Sequence, residues 1–161
     1  MMRSKLWMLL LVSGGVVLLD QVSKAVVQST VPLHHSVSVI PGFFDITHVH
    51  NPGGAFGFLA RASSNVRTIM FLVVSLLAVG LILWFFIKTP ATHRWLAGGF
   101  ALILGGAAGN LIDRIRFGKV IDFLDVYVGN LHWPAFNIAD SAITIGIGIF
   151  IAHLLLKKLP E

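Results

Sequence analysis

The chain has 161 residues and no cysteine, and 56% of its residues are hydrophobic while only 12% are charged, a composition typical of a membrane protein and not of a soluble globular domain. The lack of cysteine excludes a disulfide framework, a thiol nucleophile and a thiolate metal site. The net charge of +5 does not indicate nucleic-acid binding, because the basic residues stand in small groups at the edges of apolar runs, as membrane topology requires.

Four apolar runs are long enough to cross a hydrocarbon core of about 30 Å, and in lipid such runs must be helices. They cover residues 6–28, 68–87, 95–112 and 138–156. The first run has no small-x-small cleavage site and continues into Asp20, Gln21 and Lys24, so we interpret it as a retained helix and not as a cleaved signal sequence. We therefore expect an all-α polytopic membrane protein with four transmembrane helices.

Four spans place both termini on one side of the membrane. Basic residues divide six and six between the two sides, so their number does not orient the chain. The terminal-side segments are shorter and hold their basic residues close to span ends, which favours both termini in the cytoplasm. Six aspartates would lie at the opposite face and only Glu161 on the terminal side, which predicts a polar site at the extracytoplasmic face.

The first span ends with Asp20 and Lys24, whose i, i+4 spacing places them on one helix face. They form either a simple ion pair or part of a polar site. After this span, residues 36–40 and 43–49 alternate and are rich in β-branched and aromatic side chains, with Pro41-Gly42 between them. This pattern predicts a small extracytoplasmic β-rich segment between helices one and two.

A glycine-rich stretch begins at Asn51 and continues through Gly53 to Phe58. Glycines there allow the backbone to approach another part of the chain closely, although a surface loop with aromatic interface anchors remains an alternative. His48 and His50 would face the same side of a strand. With no H-E-x-x-H motif and no cysteine partner, they do not predict a metal site.

The third span contains a G-x-x-x-G between Gly105 and Gly109, which predicts close helix packing. Asn110, Asp113 and Arg114 follow at its outer end. Asp113 and Arg114 are compatible with anchors at the lipid headgroups. The guanidinium of Arg114 is equally suited to a carboxylate, a phosphate or a substrate carbonyl.

Asp122 and Asp140 each lie in an apolar, aromatic-rich stretch beside a predicted span, on the same side of the bilayer. A carboxylate near lipid is costly, and two that approach each other share one proton and carry out acid–base chemistry near neutral pH. Asn137 and Asp140 also stand where they would cap the fourth helix. Asp122, between Ile121 and Phe123, has no such local role.

Five motifs in this order resemble the lipoprotein signal peptidase (signal peptidase II) family of bacterial membrane aspartyl proteases. They are DQVSK at 20–24, NPGGAF at 51–56, GGAAGNLIDR at 105–114, VIDF at 120–123 and FNIADS at 136–141. Each motif alone is weak, but the five together on a four-span chain of this size are specific. The resemblance covers the chain from Asp20 to about Gly146.

The resemblance implies an aspartic endopeptidase with Asp122 and Asp140 as its catalytic pair. It implies a site lined or supported by Asp20, Lys24, Asn51, Gly53, Asn110, Arg114 and Asn137. It also implies a substrate, a diacylglyceryl-modified prolipoprotein that is cleaved just before its lipidated cysteine to release the signal peptide. We expect one membrane-embedded peptidase domain over residues 1–161, acting as a monomer in the lipid of the bacterial cytoplasmic membrane, without metal, cofactor or nucleic acid.

Two other classes of protein are alternatives. A small transporter or channel subunit favours polar groups near the bilayer midplane and often an internal repeat, whereas here the charged groups cluster at one edge and no repeat is visible. A structural membrane adaptor would not need two outer-edge aspartates accompanied by asparagines.

Overall fold

The computed structural model describes residues 2–53 and 63–156. These residues form helices α1 (Met2–Thr30), α2 (Ser64–Lys88), α3 (Arg94–Phe117) and α4 (Ile138–Leu155). They also form strands β1 (Ser36–Ile40), β2 (Phe44–Asn51), β3 (Val120–Val128) and β4 (Leu131–His132). The glycine-rich stretch after Gly53, Arg61 and the charged residues of the C-terminus lie outside the described residues.

All four helices are long and apolar enough to cross a membrane, which confirms the predicted spans. The central helix is α3, since 56% of its span is buried, compared with 6% to 17% for the other three. It continues beyond the predicted end of its apolar run to Phe117, so Asp113 and Arg114 lie on its last turns. A left-handed Gly118, at φ 68°, ends the helix.

Glycines let α1 and α4 approach α3 closely. A Cβ on Gly105 would stand 2.8 Å from the side chain of Val16 in α1, and one on Gly106 would collide with the backbone of Ala139 in α4. A Cβ on Gly109 would lie 2.7 Å from the carboxylate of Asp20. The predicted role of this small-residue stretch in helix packing is therefore confirmed, and the packing brings the start of α4 against the end of α1.

The strands form one antiparallel sheet in the order β1-β2-β3-β4. Strands β1 and β2 are the predicted segment between the first two helices, and their turn contains Gly42 at φ 80°. The sheet also takes two strands, β3 and β4, from the segment after α3, and it is β3 that carries Asp122. Val27 of α1 and Val31, just after the helix, pack with Phe123 of β3, so the sheet covers the end of the bundle where α1 finishes.

Candidate active site

Asp122 is buried at the start of β3, where it lies opposite Val49 of β2. Asn51, at the end of β2, donates a hydrogen bond from Nδ2 to Oδ2 of Asp122 at 3.0 Å. The backbone N–H of Gly53 donates to Oδ1 of Asn51 at 2.9 Å, which fixes the direction of this amide. Gly53 has φ 90°, and an added Cβ would collide with the ring of Phe71, so a larger residue does not fit here.

Asn137 reaches Asp122 because the segment before α4 pairs with β3. Phe136 exchanges backbone hydrogen bonds of 2.8 and 3.1 Å with Leu124, which places Asn137 beside Asp122. Nδ2 of Asn137 donates to Oδ1 of Asp122 at 2.7 Å, and its Oδ1 accepts from the backbone N–H of Asp140 at 2.9 Å. Oδ2 of Asp140 accepts from the backbone N–H of Asn137 at 3.2 Å. The two residues form a capping box that begins α4, and the same residues join the two aspartates.

Asn110 of α3 holds Asp140 from the other side. Its Nδ2 donates to Oδ1 of Asp140 at 2.7 Å. Its Oδ1 accepts from Nζ of Lys24 at 3.0 Å and from Nδ2 of Asn137 at 3.1 Å. A lysine ammonium can only donate, so Asn110 must turn its oxygen toward Lys24 and its nitrogen toward Asp140.

Lys24 is almost completely buried and forms ion pairs of 2.8 Å with both Asp20 and Asp113. The predicted pair of Asp20 and Lys24 is therefore confirmed, and it belongs to a larger polar cluster. Oδ1 of Asp20 also accepts from the backbone N–H of Ala139 at 3.0 Å. Asp20 thus satisfies a second free N–H in the first turn of α4, in addition to the one bound by Asn137.

Asp113 has a role that its sequence position did not reveal. The interpretation as a headgroup anchor is wrong for this residue, because it is only 1% exposed. Its carboxylate accepts from Nε2 of Gln21 at 2.9 Å and from the backbone N–H of Ile121 at 3.2 Å. It thereby links α1, α3 and the strand that carries Asp122. The i, i+3 spacing of Asn110 and Asp113 places them on one helix face, and this spacing could have indicated that Asp113 belongs to the polar cluster.

Burial raises the pKa of Asp122 to about 6, and repulsion from Asp140 acts in the same direction. Hydrogen bonds from Asn51 and Asn137 to the carboxylate oppose this rise. A cavity of about 440 Å³ opens beside Asp140 and is lined mainly by apolar side chains, among them Phe136 and Ile145. The site therefore combines two mutually repelling carboxylates, fixed amide donors and an apolar recess.

The protein-family model described as Signal peptidase (SPase) II matches residues 12–156. The chain belongs to the signal peptidase II family. It is 55% identical to the lipoprotein signal peptidase of Desulforapulum autotrophicum, covering 95% of this chain and 94% of that relative. It is 51% identical to the lipoprotein signal peptidase of Syntrophus aciditrophicus, covering 98% of both chains.

A solved structure of a bacterial membrane enzyme, obtained by the in meso method at 1.9 Å resolution, has the same fold, with a TM-score of 0.81 and 35% identity. The alignment covers 91% of this chain and 92% of that one. Membership of the signal peptidase II family establishes an aspartic-type membrane peptidase and does not favour the transporter or channel alternative.

Arg114 makes few polar contacts with the residues that the structure describes. In this signal peptidase II its side chain is half-buried on the last turns of α3. Its guanidinium makes one long hydrogen bond, of 3.4 Å, to the backbone oxygen of Asn110. It forms no salt bridge with a carboxylate of residues 2–53 or 63–156. Most of its donors are therefore available to a bound molecule.

The histidines of β2 lie outside this network. Nδ1 of the buried His48 is 2.8 Å from the backbone oxygen of Val31, and the ring of His50 packs edge-on against it with centroids 5.1 Å apart. Within the described part of the chain, no group of three or more histidine, aspartate or glutamate side chains is placed to hold a metal ion.

Proposed function

We propose that Asp122 and Asp140 are the catalytic pair with which this signal peptidase II cleaves prolipoproteins. The substrate carries diacylglycerol on the cysteine that follows the scissile bond, and cleavage just before this cysteine releases the signal peptide. The observation that carries the proposal is that Asn137 hydrogen-bonds to both carboxylates, through its side chain to Asp122 and through its backbone to Asp140. The two carboxylates also repel each other, and carboxylates coupled in this way titrate as a pair, with one protonated while the other is ionised.

In the proposed reaction one aspartate is ionised and the other is protonated. The ionised carboxylate takes a proton from a water molecule, whose oxygen attacks the scissile carbonyl carbon. The protonated carboxyl donates a hydrogen bond to the carbonyl oxygen and later protonates the leaving amine as the C–N bond breaks. General acid–base assistance of this kind contributes about 10²–10⁴-fold for each group.

The neighbouring amides keep the two carboxylates in place for this chemistry. Asn51 and Asn137 donate to the two oxygens of Asp122, and Asn110 and the backbone of Asn137 donate to the two oxygens of Asp140. Each carboxylate oxygen therefore already has one donor and retains a lone pair for water or substrate. Arg114, with most of its donors available, is suited to bind a substrate carbonyl or phosphate.

We further propose that the site faces the extracytoplasmic side and that both termini are cytoplasmic. The sheet and the two aspartates lie at the end of the bundle where α1 finishes and α4 begins, opposite to the start of α1 and the end of α4. A site at the membrane edge of a monomer can receive a lipidated signal helix laterally from the bilayer. We also propose that residues 1–161 form a single peptidase domain.

Cleavage of a diacylglyceryl-modified prolipoprotein by purified protein in detergent tests the catalytic pair. We expect Asp122→Asn and Asp140→Asn to be folded and inactive, and a chelator to leave the wild type unaffected. Asp125→Asn is the matched control, because Asp125 lies on the same strand but pairs with the exposed His132. If both variants still cleave the substrate, the proposed catalytic pair is wrong.

The orientation can be tested with single cysteines, since the natural chain has none. We expect an Asn130→Cys variant, in the exposed turn of the sheet, to react with a membrane-impermeant maleimide added outside intact spheroplasts. A Thr92→Cys variant, in the exposed turn between α2 and α3, should react only after the membrane is opened. The reverse pattern would overturn the proposed orientation.

A further inference from the structure

A second cavity lies at the opposite end of the bundle from the aspartates. Its volume is about 510 Å³, within the range of about 300–1,000 Å³ that is usual for small-molecule sites. The walls are apolar and come from three helices, with Met8 and Val12 of α1, Leu102 of α3 and Ile149 of α4. Since all three helices are candidate membrane spans, this groove opens within the bilayer.

Gly98 of α3 keeps the groove open. A Cβ on Gly105 or Gly106 would meet a neighbouring helix, whereas a Cβ on Gly98 would meet nothing within 4 Å. Gly98 is therefore not required for close helix packing. Its missing side chain leaves space along α3 that an alkyl chain can occupy.

The groove ends at Arg94 and Trp95, the first two residues of α3. Trp95 is 79% exposed, and a tryptophan at a span end belongs at the level of the lipid headgroups. The guanidinium of Arg94 has one long contact, of 3.4 Å to Oγ of Ser4, and no salt bridge to a carboxylate among the described residues. The nearby Lys5, in contrast, donates to the backbone oxygen of Thr89 at 2.6 Å.

The charge at this end of the molecule is entirely positive in the part of the chain that the structure describes. Arg3, Lys5, Lys88 and Arg94 lie there, and every described aspartate lies in the opposite half of its helix or in the sheet. Phosphate oxygens are the natural partners of an arginine without a counter-ion, because its planar donors match them bidentately.

We propose that this groove binds one anionic phospholipid from the leaflet on the side of the termini. Its phosphate pairs with Arg94, its headgroup region lies against Trp95, and one acyl chain runs along Gly98 between Met8 and Ile149. An open apolar groove whose mouth holds Arg94, a cation without a carboxylate partner among the described residues, favours a lipid over a second copy of the chain, because the corresponding surface of a second copy carries the same positive charge.

Native mass spectrometry of delipidated protein in detergent tests this site, with phosphatidylglycerol and phosphatidylcholine titrated separately. We expect the wild type to bind one phosphatidylglycerol at least tenfold more tightly than phosphatidylcholine. Arg94→Gln should lose this preference, and Gly98→Leu should weaken binding of both lipids by filling the groove. Cleavage activity in detergent serves as the folding check, since neither residue belongs to the active site.

Two variants with matched changes outside the groove are the controls. Lys88→Gln removes an exposed cation at the same end, and Gly80→Leu adds the same side chain at an open glycine of α2. Both should bind phosphatidylglycerol like the wild type. Equal binding of the two lipids, or equal losses in Arg94→Gln and Lys88→Gln, would overturn the proposal. A disulfide-linked dimer of Gly98→Cys in native membranes would instead assign the groove to contact between copies.

Discussion

The ammonium of Lys24 lies 3.0 Å from Oδ1 of Asn110, and this contact determines which way the asparagine amide points. With its oxygen held by Lys24, Asn110 directs its nitrogen to Asp140. A buried lysine on α1 thereby controls a hydrogen bond to a carboxylate on α4, although no salt bridge joins Lys24 to Asp140. Lys24 is in this sense a positioning residue.

Replacing Lys24 with methionine should destabilise the protein strongly. The change leaves Asp20 and Asp113 buried without their cation, and breaking a buried ion pair in this way costs about 3–5 kcal/mol. Thermal unfolding in detergent, followed by circular dichroism, measures the loss. Lys88→Met, at an exposed lysine, is the control and should melt like the wild type. An unchanged melting temperature for Lys24→Met would show that the cluster does not stabilise the fold.

Asn110→Ala should lower kcat about 10- to 100-fold, which corresponds to the roughly 1.5–3 kcal/mol of a hydrogen bond to a charged group. The variant lacks the donor to Asp140 but keeps both aspartates. Steady-state kinetics on a lipidated prolipoprotein separates this effect from a change in KM. Asn130→Ala, in an exposed turn, should leave kcat unchanged. A kcat for Asn110→Ala equal to that of the wild type contradicts the positioning role.

Because the pKa of Asp122 is raised in the folded protein, we expect the stability of the protein to depend on pH. Between pH 3.8, the ordinary pKa of this carboxyl, and about pH 6, Asp122 is protonated in a larger fraction of folded molecules than of unfolded ones. Stability therefore falls as the pH rises through this window, and the loss persists above it. Asp122→Asn cannot bind this proton. The melting temperature of the variant minus that of the wild type, measured at each pH, should therefore increase between pH 4 and pH 6.5.

The prediction concerns how the difference in melting temperature changes with pH and not its absolute size. Asparagine at position 122 also changes the hydrogen bonds with Asn51 and Asn137, but by an amount that does not vary with pH. Asn130→Ala, which removes no titratable group and lies in an exposed turn, is the control and should run parallel to the wild type. Parallel curves for Asp122→Asn as well would mean that the carboxyl is not perturbed in the folded protein.

Gly53→Ala should reduce activity more than stability. The backbone at φ 90° disfavours a side chain, and the added methyl would collide with Phe71, so the loop must shift and release Asn51 from Asp122. Gly42→Ala is the matched control, since it has a similar φ of 80° but open space around it, far from the aspartates. Both variants should lose about 1–3 kcal/mol from backbone strain, and only Gly53→Ala should lose activity. Full activity in Gly53→Ala would exclude this link.

Hydropathy was sufficient to place the four helices, because a span in lipid must be a continuous apolar helix. The i, i+4 spacing of Asp20 and Lys24 was likewise enough to foresee their ion pair. These features depend on residues close together in the chain, where helix geometry alone decides which side chains meet.

The structure of the second outer segment was harder to foresee. Strand β3 pairs with β2 about 70 residues earlier, as in the contact of Asn51 with Asp122, and no local pattern specifies such a partner. The burial of Asp113 also depends on α1 packing against α3. The residue types were therefore enough to identify the polar groups of the site. The hydrogen bonds and ion pairs between them could not be predicted, because they depend on tertiary contacts.

The hydrogen bond between Asp20 and the backbone of Ala139 spans 119 positions of the chain. Synthesis proceeds from the N-terminus, so Asp20 and Lys24 enter the membrane well before Asn137 and Asp140 are made. Until the fourth helix inserts, the early charges lack their later partners and one aspartate of the pair is absent. With Asp122 and Asp140 as the proposed catalytic pair, we expect the peptidase to become active only after its fourth helix has inserted, and a chain stalled after its third span to have no activity.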